Sequence, residues 1–167
     1  MRVALFIGDH RDDTLLVRLG WAATRLVQRG DFRRVTHVEA ILEEWPDGCV
    51  TIGSATLRKE NQGRNGVRVK PGVRLNPANW LMADVPQWSV ERAREWFAQH
   101  VGELYDVRGA VGTAVPLVGH NPRRKFCNWA VGAPFLRAAH TFGPAQFAAI
   151  CFTFGRDVTE EFFTERA

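Results

Sequence analysis

The chain has 167 residues, 46% hydrophobic and 24% charged, with a net charge of +4 and a pI near 9.4. That balance suits one globular domain over residues 1–167 and excludes a disordered or fibrous chain. The positive balance suits anionic partners such as nucleic acid, anionic lipid or bacterial cell wall, but no zinc-finger spacing or aromatic–basic repeat points to a dedicated nucleic-acid binder.

The opening "MRVALFIGDH" predicts a strand at Val3–Ile7, its apolar run being too short for a secretory leader. No apolar stretch approaches the roughly 20 residues that span a bilayer, so no transmembrane segment is expected. Cytoplasmic residence follows as the default expectation, and release by lysis or another export route would leave the same sequence. The three cysteines, Cys49, Cys127 and Cys151, are odd in number and widely spaced, which argues against a disulfide framework.

In "DDTLLVRLGWAATRLVQRG", Leu15, Leu19, Ala22 and Leu26 recur at helical spacing, with Asp12 or Asp13 as cap and Gly30 at the end. "VTHVEAILE" alternates like a strand, with Val35, His37, Glu39 and Ile41 on one face and Thr36, Val38, Ala40 and Leu42 on the other. The turn at Asp47-Gly48 and a return strand near Cys49–Ile52 make a hairpin. "RKENQGRNG" is a polar loop, and short strands follow near Val67–Lys70 and Trp80–Val85. "SVERAREWFAQHVG" is a helix capped by Ser89, with Val90, Ala93, Trp96 and Phe97 inward and Gly102 past its end. "GELYDVRGAVGT" turns into a short helix or loop with Asp106 as cap. "FCNWAVGAPFLRAAH" reads as two helical pieces, the second starting at Pro134, and a further short helix lies in the tail. The order predicts an α+β domain on an antiparallel sheet.

A cysteine enzyme needs a thiolate, a base for its proton and a group that orients the base. Cys127 stands where a helix should begin, after Arg123, Arg124 and Lys125, and both a helix N-terminus and nearby cations favour a thiolate. His37 interrupts an otherwise apolar strand, where a neutral side chain would pack more cheaply. Glu39, two residues on, points the same way, its β-carbon about 7 Å off. The plainer alternatives are a structural histidine, a core cysteine and a Glu39 exposed on an edge strand. Cys151 in "AAICFTF" and Cys49 beside the turn read as packing residues, and His120 as a loop histidine. His10, His100 and His140 lack partners at metal-ligand spacing, so neither zinc nor any other cofactor is expected.

"THVEAIL" (Thr36–Leu42), "LYDVRGAVG" (Leu104–Gly112) and "FCNWAVG" (Phe126–Gly132), in that order, resemble the circularly permuted NlpC-like cysteine hydrolases. These are papain-fold proteins in which His precedes Cys, and they include the YiiX-like and lecithin–retinol acyltransferase-like branches. The opening "RVALFIG" and the "GVRVK" strand look like those of small phage-encoded members. The resemblance covers most of residues 1–135. It implies a permuted papain-like fold, Cys127 as nucleophile, His37 as general base and a polar residue orienting His37, either Glu39 or, from the neighbouring strand, Thr51 or Ser54. Tyr105 and Asn128 are then expected on the substrate side. Many members carry Ser-Glu after the cysteine where this chain has Asn128-Trp129. The implied substrate is a peptide or peptidoglycan-fragment amide, with an acyl-lipid substrate of a lipid acyltransferase or thioesterase as the alternative, and a non-catalytic binding or virion-associated module as the reading from another class.

Overall fold

The computed structural model describes residues 1–8, 18, 22, 25, 28, 30–57, 65–113 and 119–165. The helix expected over 12–30 and the polar loop at 58–64 lie largely outside the described residues.

Six strands form one antiparallel sheet in the order β4-β3-β2-β1-β5-β6: β1 Arg2–Phe6, β2 His37–Glu44, β3 Val50–Thr56, β4 Gly66–Val73, β5 Trp80–Asp84 and β6 Arg156–Asp157. The α+β class on an antiparallel sheet is therefore as expected. β1 and β2, apolar on both faces, take the interior of the sheet, since only strands covered on both sides can bury alternate residues of either parity. β2 and β3 join at the predicted turn, where Gly48 has φ 79 and the Asp47 carboxylate accepts from the Cys49 N–H at 2.9 Å. β4 is an edge strand and carries Pro71, a residue tolerated at an edge because no ladder partner needs its missing N–H. The β3–β4 register shifts between Val50 and Ile52, opposite Pro71 and Gly72.

One face of the sheet supplies Val3, Leu5, Val38, Ala40, Ala55 and Ala83 to the larger core, together with Phe97, Phe126, Val131 and Phe147 from the helices. A second cluster around Ala4, Ile41, Ile52 and Met82 is closed by Phe162. The helices are α1 Val90–His100, α2 Val107–Gly112, α3 Cys127–Gly132, α4 Pro144–Phe154 and α5 Thr159–Thr164. Ser89 caps α1, its side chain accepting from the Arg92 N–H at 3.2 Å, and Phe97 reaches the sheet at Gly53, where a β-carbon would come within 2.7 Å of the ring. Gly53 is thus a close approach that no larger residue fits.

Two local expectations are corrected. No α-helix starts at Pro134: α3 ends at Gly132, and the chain turns and enters a single 3-10 turn at Ala139–Thr141. The driving contact is Phe135, which stacks on Trp88 at 4.8 Å beneath the Arg92 guanidinium. That tertiary packing overrides the helical start signal. Asp106 does occupy the cap position of α2, yet its carboxylate makes no cap bond there and instead accepts from the Asn121 N–H at 2.7 Å. The strand β6 and helix α5 at the tail were not legible. No helix among the described residues is long and apolar enough to cross a membrane.

Candidate active site

α3 packs against β2 and β3, which brings the first residue of the helix, Cys127, to the start of β2. There the His37 ring interacts with the thiol and, through Nε2, meets Glu39 Oε1 at 3.1 Å. All three are buried, at 2% exposure for Cys127, 7% for His37 and 3% for Glu39. The edge-strand reading of Glu39 is therefore excluded, because β2 is interior and the carboxylate is covered.

A buried carboxylate needs compensating charge and hydrogen bonds. Glu39 Oε1 accepts from Arg68 Nη2 at 3.2 Å and from Ser54 Oγ at 3.4 Å, besides facing the imidazole. Ser54 and Arg68 are register partners across β3 and β4, so one row of the sheet assembles the whole carboxylate environment. Ser54 thus reaches Glu39, and Thr51 donates to Glu43 Oε2 at 3.0 Å. Arg68 is a site residue that the sequence reading missed. The only signal was a lone arginine inside the apolar "GVRVK" run, and its meaning depends on pairing between β3 and β4 that the sequence does not spell out.

Electrostatics follow from these contacts. Burial opposes a charge on His37, but its hydrogen bonds to Cys127 and Glu39 and their negative charges outweigh that, raising its pKa from 6.5 to about 9. Burial likewise opposes ionisation of Glu39, while the hydrogen bond and charge of His37 and the Arg68 guanidinium hold the carboxyl below its usual range. The ring therefore carries its proton at neutral pH, beside an ionised carboxylate.

Tyr105, expected on the substrate side, is buried near Cys127, and burial first, then the nearby charges of Cys127 and Asp106, push its pKa well above the usual value. Asn128 is 1% exposed, and its amide is used inside the protein: Oδ1 lies 3.6 Å from Cys127 Sγ and Nδ2 donates to the Phe142 carbonyl. These contacts tie the start of α3 to Phe142. Of the cations ahead of Cys127, Lys125 is directed elsewhere. Lys125 Nζ pairs with Glu103 Oε2 at 2.9 Å, donates to the Pro122 carbonyl and sits 4.5 Å from the Trp129 ring centroid, while Arg123 and Arg124 are exposed.

The other candidates separate cleanly. Cys151 is fully buried in α4, where burial alone pushes its thiol upward. Cys49 is partly exposed beside the hairpin turn. The His120 and His140 rings lie 4.3 Å apart, tilted by 31°, against Trp129, and His100 stacks on Trp96 at 4.0 Å. His10 lies outside the described residues. No family model matches the chain, and neither the curated proteins nor the solved structures give a match.

Proposed function

We propose that the protein is a cysteine hydrolase of the permuted NlpC-like, papain-fold type, an amidase or peptidase acting on peptide amides such as those of cell-wall fragments. The observation that carries this reading is one imidazole in contact with a thiol on one side and a buried carboxylate on the other. A histidine kept only for packing has no use for either partner, let alone both, and the pair costs burial energy that an apolar residue would avoid.

In this reading the Cys127 sulfur attacks the amide carbonyl carbon, forming a C–S bond as the carbonyl electrons move to oxygen. First-turn N–H groups of α3, the one of Cys127 among them, are free of intrahelical acceptors by helix geometry and suit an oxyanion. As the oxyanion collapses the C–N bond breaks, and the His37 imidazolium gives its proton to the leaving amine. The now neutral ring takes a proton from water, whose oxygen attacks the thioester; the C–S bond breaks and the acid leaves. Glu39 holds the ring through Nε2 throughout and stabilises its charged form. Arg68 keeps Glu39 ionised, so the carboxylate orients the ring without taking its proton.

The test is thiol mapping by mass spectrometry. Iodoacetamide near neutral pH should label Cys127 before Cys49 and Cys151, and His37→Ala should slow the Cys127 reaction by roughly 100-fold, the range expected for loss of an acid–base partner. Equal, slow labelling of all three cysteines, or an unchanged rate in His37→Ala, refutes the reading.

A further inference from the structure

Large hydrophobic side chains stand exposed at six of the described positions, and four of them fall within eleven residues: Val101 at 55%, Leu104 at 43%, Val107 at 50% and Val111 at 47%. Scattered exposed aliphatics are ordinary, but a run of this density is a surface with a use. Val107 and Val111 lie one turn apart on α2 and so share a side of it, while the opposite side is buried through Gly109.

Charge is distributed just as unevenly. Residues 107–156 hold six Lys or Arg and no Asp or Glu, whereas the rest of the chain holds 16 basic and 18 acidic residues. The net positive charge of the protein thus resides wholly in the stretch that carries α2 and Cys127. The fold then lays part of that charge along the apolar run. Lys125 N–H donates to the Leu104 carbonyl at 3.0 Å and Asp106 N–H to the Lys125 carbonyl at 2.9 Å, so exposed Arg123 and Arg124 run beside Leu104. Arg108 is exposed on α2 between the two valines. The acidic group closest in sequence that remains partly exposed, Glu103, is held by Lys125.

We propose that Leu104, Val107 and Val111, with Arg108, Arg123 and Arg124, form a docking surface for an anionic lipid bilayer. Aliphatic side chains entering the acyl boundary while guanidinium groups bind lipid phosphates is the chemistry of interfacial binding. A soluble polyanion would engage the arginines but gain nothing from the valines. The inference goes beyond the hydrolase reading and does not rest on it.

Co-sedimentation of the full chain with vesicles tests it. The protein should pellet with phosphatidylcholine–phosphatidylglycerol vesicles, not with phosphatidylcholine alone, and should be released by high salt. Arg123→Gln with Arg124→Gln should lower the partition coefficient roughly 30-fold, at about 1 kcal/mol per arginine. Val107→Ser with Val111→Ser should lower it roughly ten-fold through lost apolar insertion. Cys127→Ala should partition like the parent, which keeps this result separate from any failure of the hydrolase reading. Absence of binding to the anionic vesicles overturns the proposal. So does binding that the valine pair leaves unchanged, or that RNA competes away at equal charge concentration, since either outcome marks a site for polyanions.

Discussion

Cys127 and Cys151 are both helical and both buried, at 2% and 0% exposure, yet they occupy opposite chemical settings. Cys151 lies in α4, where burial is the whole of its environment's effect on the thiol, and that effect disfavours a thiolate. Cys127 faces an imidazole, a phenol and an amide oxygen within one row of contacts. Burial alone therefore makes an inert sulfur, and what distinguishes a candidate nucleophile is the set of polar groups buried with it. Those groups bring their own requirement, because His37 needs Glu39 and Glu39 needs Arg68.

The contrast breaks most visibly at Cys127 itself. Cys127→Ala should abolish both rapid alkylation and amide hydrolysis in an assay on peptide amides, leaving Cys49 and Cys151 labelling as before; turnover that survives this change would erase the distinction. Next in size is Arg68→Met, which removes one cation from a buried carboxylate. It should cost about 3 kcal/mol in denaturant unfolding, with Arg68→Lys recovering part of the loss; a near-neutral Arg68→Met would mean Glu39 is not held as an ion. Cys151→Ser places a hydroxyl in an apolar setting and should cost about 1–3 kcal/mol, with the Cys127 alkylation rate unchanged. The remaining effect is on pH dependence. The raised pKa of His37 means the folded state favours its protonated ring, so this group's stabilisation is complete below pH 6.5 and is lost as pH rises through about 9. The melting temperature of the parent should fall across that window more than that of His37→Gln, and parallel curves would count against a charged His37.

Much of the sheet was legible because alternation and turn chemistry are local. The β2–β3 hairpin follows from its own residues, as does Ser89 at the start of α1. His37, Glu39 and Cys127 were legible for a related reason: each is the wrong residue type for its immediate surroundings, a polar group in an apolar strand or a thiol at a helix start. Arg68 and the burial of Glu39 were not, since both depend on strand order and register, which link residues 29 apart. The placement of Lys125 was not legible for the complementary reason. Sequence adjacency to Cys127 does not fix where a long side chain points, and Lys125 turns to Glu103 and Trp129. Phe135 and β6 answer to distant partners, Trp88 and β5, that no local pattern records.

The edge strand β4 has a consequence outside chemistry. Its outer rim would otherwise offer unpaired backbone groups to any extended segment nearby, the usual seed for intermolecular strand addition. Lys70, Pro71 and Gly72 interrupt it with a charge, a missing donor and a left-handed residue at φ 66, opposite the register shift in β3. A row of polar residues that assembles a buried ion network from three neighbouring strands is vulnerable to register slippage, which would move Arg68 to the wrong face. The same three residues thus guard against aggregation at the rim and pin the strand that delivers the guanidinium.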